Sequence, residues 1–287
     1  VYTFRWTEVE GICSDYDDVV VTFNQQPNIT APADKEVCNT KTTSLAATDV
    51  AYEAGSDHAE VYLWEKVSGP GTVTFTPANA LSTSVTVGTY GIYEFRITGT
   101  NGTGCTDNEI VQVTFNQNPN VTAPADKAMC GTKTTALTAT DITYEAGSDH
   151  AEVYLWEKVS GPGTVTFTPD DALSTSVEVS LYGVYEFRIT GTNGTGCDDS
   201  DLVEVTFNQQ PEMTAPLDKE ECGTKTTALV ATDVTYEAGS DHAEVYLWEK
   251  VSGPGTVTFT PANALSTSAA VSLYGVYEFR ITGTNGT

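Results

Sequence analysis

Basic residues are scarce in this chain. Its 287 residues hold 13 Lys plus Arg against 39 Asp plus Glu, a net charge of −26. Nucleic-acid binding works by neutralising phosphates with Lys and Arg, so a nucleic-acid partner is excluded, and anionic membrane surfaces are disfavoured by the same balance. No apolar run approaches the ~20 residues that a membrane-spanning helix needs. No signal peptide stands at the start, where a strand-like VYTFRW begins abruptly. Direct membrane insertion is therefore not expected. There is no CxxC, and His58, His150 and His242 are one repeated position beside an Asp, too far apart to form one site. A zinc centre has no ligand pattern here. No Ser-His-Asp or Cys-His spacing puts a nucleophile beside a base, so the chain is not expected to be an enzyme and requires no cofactor. Helical periodicity is also missing.

What is present is repetition. VYLWEKVSGPGTVTFTP starts at Val61, recurs at Val153 and returns at Val245, an offset of 92 residues each time. A fixed period of this kind is the signature of a tandem array. Ninety-odd residues is close to the roughly 100 of an immunoglobulin-type sandwich, so each unit can bury a core of its own. Residues 1–25 match the C-terminal part of a unit. Complete units run over 26–117 and 118–209, and a unit lacking its last strand covers 210–287. The chain is expected to be a window on a longer array. Strand exchange between chains is the alternative, but the FRW strand at the start and the FRI strand at the end are the same strand, so a donor would duplicate it.

Within a unit, short Val/Thr/Tyr/Phe runs alternate with period two between Gly/Pro/Asn turns. In the unit at 26–117 the pattern predicts a split first strand over 28–31 and 35–38. Further strands are predicted at 42–48, 61–67, 72–76, 83–87, 93–98 and 109–116. Seven strands without helix predict an antiparallel two-sheet sandwich. The turn at Ser68-Gly69-Pro70-Gly71 needs glycine freedom around a proline-fixed dihedral. The expected core is Trp64, Tyr93 and Phe95, with their copies Trp156, Tyr185 and Phe187, and Trp248, Tyr277 and Phe279.

Tyr62, Trp64, Ser68-Gly69-Pro70-Gly71, Tyr90-Gly91, Tyr93, Phe95 and Arg96, repeated at 92-residue offsets, resemble the PKD family of Ig-like domains. The resemblance is closest to the variants repeated in long surface proteins of Bacteroidetes-type bacteria. It covers essentially the whole chain, although the WDFGDG segment of better-known members is absent. It implies an extracellular all-β sandwich used as spacer, stalk or adhesive module, with no catalytic residues. The Trp on the third strand and the Tyr two residues before Phe95 correspond to the pin and tyrosine corner of Ig-type sandwiches.

Six cysteines fall at two positions of the unit: Cys38, Cys130 and Cys222 before the second strand, and Cys13, Cys105 and Cys197 after the NGTG turn. Disulfides in an oxidising compartment are the natural reading. Pairing within a unit would give Cys38–Cys105 and Cys130–Cys197. Strand direction favours Cys38–Cys197 instead, because the two positions lie at opposite ends of an Ig-like sandwich. A seven-residue strand separates those ends by roughly 20–25 Å, whereas bridged Cα atoms lie within ~7 Å.

Acidic groups gather toward the domain ends. Asp34, Glu36, Asp57, Glu60, Asp107, Glu109, Asp198, Asp199 and Asp201 are candidates for a weak calcium site, set against a plain solvated rim. Asn28, Asn101, Asn120, Asn193 and Asn285 stand in N-x-Ser/Thr sequons, which permit glycosylation. Tyr52 and Tyr90 are the rings expected to be exposed, and so the candidates for carbohydrate stacking. The expected function is structural: a segment of an extracellular surface filament, stalk or adhesin made of rigid acidic beads. Its partners would be neighbouring repeats and like chains in a fibre. A multivalent carbohydrate- or protein-binding array, or spacer domains of a large secreted enzyme, are the alternatives.

Overall fold

The computed structural model describes every residue except 55, 57–60, 147–152, 239–244 and 286–287. The histidines and the candidate ligands Asp57 and Glu60 lie outside the described residues. All regular structure among the described residues is β-strand. The chain falls into two compact units. The first is built on Val1–Pro119 and takes in Thr192–Asp198 and the loop beginning at Ile142; the second holds Asn120–Asp141, Val153–Gly191 and the chain from Asp199 onward.

In the first unit, β1 (Tyr2–Glu10) and β2 (Cys13–Val21) pair as an antiparallel hairpin with an exposed surface. A complete sandwich follows. One sheet runs β3-β9-β8-β5, from β3 (Lys35–Cys38), β9 (Thr106–Asn116), β8 (Gly91–Thr100) and β5 (Val61–Ser68). The other runs β4-β7-β6, from β4 (Thr42–Ala46), β7 (Ser82–Val87) and β6 (Val73–Thr76). The first strand is split as the sequence predicts. Thr30 bridges Thr48 in antiparallel sense, and after Pro32 the chain reappears as β3, parallel to β9 with Cys38 opposite Asn116. Proline has no N–H to give a ladder, which suits it to the crossover.

The second unit repeats this plan. Strands β10 (Lys127–Cys130), β16 (Asp198–Asn208), β15 (Gly183–Thr192) and β12 (Val153–Ser160) form one sheet in that order. Strands β11 (Thr134–Thr138), β14 (Ser174–Val179) and β13 (Val165–Thr168) form the other. The same unit holds a further sandwich from β17 (Thr226–Val230), β20 (Ser266–Val271) and β19 (Val257–Thr260) on one side, and β18 (Val245–Ser252) with β21 (Glu278–Thr284) on the other.

Period-two alternation becomes burial. Leu45, Trp64, Val85, Tyr93, Phe95, Ile97, Val111, Val113 and Phe115 form one dry cluster. Trp64 stacks along Phe75 at 6.3 Å, and Phe75 meets Phe95 edge-on at 5.3 Å. Such pairs add to simple area burial. The indole N–H of Trp64 donates to the carbonyl of Ala80 at 2.9 Å, so the pin leaves no polar atom stranded. Tyr93 donates its hydroxyl to the carbonyl of Thr89 at 2.8 Å, closing the tyrosine corner. Gly69 has a φ of 120°, and a Cβ there would run into the Tyr93 ring. The glycine-proline turn is therefore shaped around the corner tyrosine.

The second copy of the core is equivalent, with Trp156, Tyr185 and Phe187 buried. The third differs from expectation. Trp248 is buried, but Tyr277 and Phe279 are only half-buried. Among the described residues no strand follows β21 to cover them, and 219–222 is irregular. Replacing Trp64 with Ala is expected to reduce the opening free energy of the Val111 and Val113 amides by about 3–5 kcal/mol. Hydrogen exchange on the full chain measures it, and a change below about 1 kcal/mol would contradict a pinning role.

Candidate functional site: the junction between repeats

The recurring constellation lies where one repeat hands over to the next, and Gln25, Gln117 and Gln209 are its centres. Each follows the last strand of a repeat. The carbonyl of Gln25 accepts from Asn101 Nδ2 at 2.9 Å, that of Gln117 from Asn193 at 3.1 Å, and that of Gln209 from Asn285 at 3.0 Å. The side-chain oxygens of the three glutamines accept the amide N–H of Glu53, Glu145 and Glu237, each at 2.9 Å.

The asparagine is the first residue of the N-G-T-G-C turn, and it organises that turn. Asn193 Oδ1 accepts from the N–H of Thr195, the hydroxyl of Thr195 and the N–H of Cys197. With Nδ2 donating to the carbonyl of Gln117, both ends of the amide are engaged. This corrects one expectation: Asn101, Asn193 and Asn285 are buried and bonded, so a glycan there is incompatible with the junction. Asn28 and Asn120 are exposed.

Holding the amide of Glu145 on Gln117 presents its carboxylate to the preceding repeat. Lys41 Nζ reaches the two carboxylate oxygens at 2.8 and 3.1 Å, and the N–H of Tyr90 donates to Oε2 at 3.1 Å. Lys41 also donates to the carbonyl of Gly88 and sits 4.7 Å over the Tyr90 ring. In the second unit Lys133, Tyr182 and Glu237 repeat the clamp at 2.8 Å for the ion pair and 3.0 Å for the tyrosine N–H. Tyr90 and Tyr182 are thus half-buried parts of a joint and not free stacking platforms. Tyr52 is half-buried too, its hydroxyl donating to Asp49 at 2.8 Å.

The disulfide reinforces the same junction. Cys38, at the end of β3, is bonded to Cys197, in the turn that Asn193 organises, with Cα atoms 5.7 Å apart. Cys105 and Cys130, the partners that pairing within a repeat would have used, carry free thiols, as do Cys13 and Cys222.

The acidic rim serves mainly as a set of backbone clips. Asp34 accepts the N–H of Gln112, Asp107 that of Ile29, Asp199 that of Val121 and Asp201 that of Ala123. Each ties the split first strand to the last strand of its own sandwich. Among the described residues no group of three or more His, Cys, Asp or Glu is gathered for a metal ion, with Glu36, Glu109 and Asp198 dispersed along their strands. Asp49, which sequence reasoning did not single out, accepts four hydrogen bonds, and its copy Asp233 accepts the same four. Burial pushes the Asp49 carboxyl up, but donors from Asn28, Tyr52, Val50 and Tyr62 outweigh this and hold it below the usual aspartate range.

The family model for the K319L-like PKD domain matches residues 31–115 and 123–207, more than half of the chain. The chain belongs to this family. A mouse relative, the dyslexia-associated protein KIAA0319 homolog, is 26% identical over 271 residues, covering 90% of this chain and 24% of its own length. The rat homolog is 26% identical over 275 residues with the same coverage. The chain thus spans about a quarter of the curated relatives it matches. Among solved structures, the PKD domain from KIAA 1837 protein is 26% identical over 34% of this chain and 92% of its own, with a TM-score of 0.25. The PKD domain from human KIAA0319 is 15% identical over 33% and 84%, with a TM-score of 0.29. The curated relatives are mammalian, so the resemblance to Bacteroidetes-type surface proteins finds no support among them.

The clamp is pH-dependent with a defined sign. The hydrogen bond from Lys41, and then the Tyr90 N–H, hold the Glu145 carboxyl below its ordinary value of 4.5. A depressed folded-state value means the clamp stabilises fully above the ordinary glutamate range and is lost as pH falls through the lower, folded value. An NMR titration of the Glu145 carboxyl is expected to show this depression, and Lys41→Met should move it part-way back. An unchanged titration in that variant would remove Lys41 from the clamp.

Proposed function

We propose that the chain is a structural segment of an extracellular repeat protein, a run of stiff acidic beads that holds a distal function away from its anchoring surface as a stalk, filament or adhesin. The observation that carries this reading is the convergence at one junction of a disulfide, an ion pair and the hydrogen bond from the Asn193 side chain to the Gln117 carbonyl. A flexible linker would need none of these. Pro119, buried beside the junction, leaves no glycine-rich slack between repeats. The disulfide also fits an oxidising, extracellular compartment, and a charge of −26 favours solubility and repulsion between molecules. On this reading function belongs to the geometry of the array. Its immediate partners are the neighbouring repeats.

The test is to loosen the junction without touching a core. Cys38→Ser combined with Lys41→Met is expected to speed amide exchange at Asn193 and Cys197 at least about tenfold, about 1.4 kcal/mol of protection. Exchange at Val111 and Val113 should stay unchanged. Spin labels on Thr74 and Thr166, at exposed positions on either side, should report a narrow distance distribution in the parent chain and a broad one in the variant. A broad distribution in the parent chain would overturn the stiff-bead reading.

A further inference from the structure

The cationic half of the junction clamp occurs a third time. In the first copy Lys41 donates to the carbonyl of Gly88 at 3.1 Å and lies 4.7 Å over the Tyr90 ring, with Glu145 bonded to Lys41 Nζ and to the Tyr90 N–H. In the second, Lys133 donates to the carbonyl of Ser180 at 2.9 Å and lies 4.7 Å over Tyr182, and the two hold Glu237 in the same way. Lys225 and Tyr274 stand at the next 92-residue step. Lys225 Nζ donates to the carbonyl of Ser272 at 2.8 Å and lies 5.0 Å over the Tyr274 ring. The stretch VSLYGVY at 271–277 repeats 179–185 letter for letter. The flanking corner is in place too. Tyr277 donates its hydroxyl to the carbonyl of Leu273 at 2.8 Å, as Tyr185 does to that of Leu181 at 2.8 Å.

What differs is exposure. Lys41 and Tyr90 are half-buried, as are Lys133 and Tyr182, whereas Lys225 is exposed and Tyr274 is 65% exposed. Among the described residues Lys41 and Lys133 each meet a carboxylate here and Lys225 meets none. Its ammonium is nonetheless fixed by the Ser272 carbonyl and the tyrosine ring, so much of the side-chain entropy that an exposed ion pair costs has already been lost. In the two other copies the lysine hydrogen bond holds the glutamate carboxyl below its ordinary value of 4.5. This donor set therefore favours an ionised carboxylate.

We propose that Lys225 and the Tyr274 N–H form a docking socket for a glutamate carboxylate carried on the Tyr-Glu-Ala-Gly segment of a further repeat. The ligand class follows from the two copies in which the same donors are engaged. In both, the acid is the glutamate of a Tyr-Glu-Ala-Gly segment, Glu145 after Tyr144 and Glu237 after Tyr236. Lysine takes Oε1 at 2.8 Å and the tyrosine N–H takes Oε2 at 3.1 and 3.0 Å, so two donors read the two oxygens of one carboxylate. A glutamine cannot match this, because its NH₂ would face a donor. Tyr274 and Leu273, 65% and 52% exposed, supply apolar surface beside the charge for the incoming segment to cover. The socket is defined by its donors alone and stands independently of the stiffness of the array.

Titration of the full chain with the peptide acetyl-Tyr-Glu-Ala-Gly-amide, followed through backbone N–H resonances by NMR, tests it. The Tyr274 N–H is expected to shift and saturate with a dissociation constant of about 1 mM, the weak end expected of so few contacts. The N–H groups of Tyr90 and Tyr182, already bonded to Glu145 and Glu237, should stay in place and serve as internal controls. Lys225→Met should weaken binding at least about tenfold. A peptide with Gln in place of Glu should not bind, which tests the same contact without altering the protein. A Tyr274 N–H that stays in place at about 10 mM peptide overturns the proposal. So does movement of all three tyrosine N–H groups together, or binding indifferent to Lys225→Met or to the Gln peptide.

Discussion

The structure depends on one amide. Asn193 cannot organise its own turn without also aiming its Nδ2 at Gln117, because its Oδ1 is held by Thr195 and Cys197. Local turn formation and attachment to the preceding repeat are therefore a single event. Everything else at the junction follows from that placement. Cys197 is delivered to Cys38, and Gln117 is fixed so that its side chain can hold the amide of Glu145. The ion pair with Lys41 then closes over a geometry already set. An exposed ion pair alone contributes little, because side-chain entropy and salt work against it. This one has its entropy reduced beforehand, since the Glu145 backbone is already held.

The acidic composition has a similar explanation. Many of the carboxylates that look like a diffuse anionic rim in the sequence are acceptors for backbone N–H groups that the split first strand leaves unpaired. A strand that changes sheets interrupts its ladders, and buried or half-buried N–H groups need acceptors. Asp34, Asp107, Asp199 and Asp201 supply them. Asp49 does so for Asn28 and Val50 while also accepting two tyrosine hydroxyls. The charge of the chain is thus partly a by-product of its topology.

The fold was legible because the signals were local and periodic. Alternation at 93–98 and 109–116 has one physical reading, and Trp64 in a Tyr-x-Trp strand has few places to go. The split first strand could be read because Pro32 breaks it. The junction was legible only in part. Strand direction alone favours Cys38–Cys197, since the positions lie at opposite ends of a sandwich. The role of Gln117 left no trace, because a glutamine carbonyl looks the same in a loop as at a joint. Asn101 and Asn193 misled for a related reason: Asn-Gly-Thr is both a sequon and a side-chain-organised turn, and burial decides between them.

The bond between Cys38 and Cys197 spans 159 positions of sequence, and this has a mechanical consequence. Tension applied along the polypeptide enters at β3 and crosses the sulfur bridge directly. The residues between the two cysteines, which include the whole of β4 to β15, hang outside the load path. That segment contributes no length when the chain is pulled, however weakly its own strands hold. A covalent shunt of this kind sets a ceiling on how far the array extends under load.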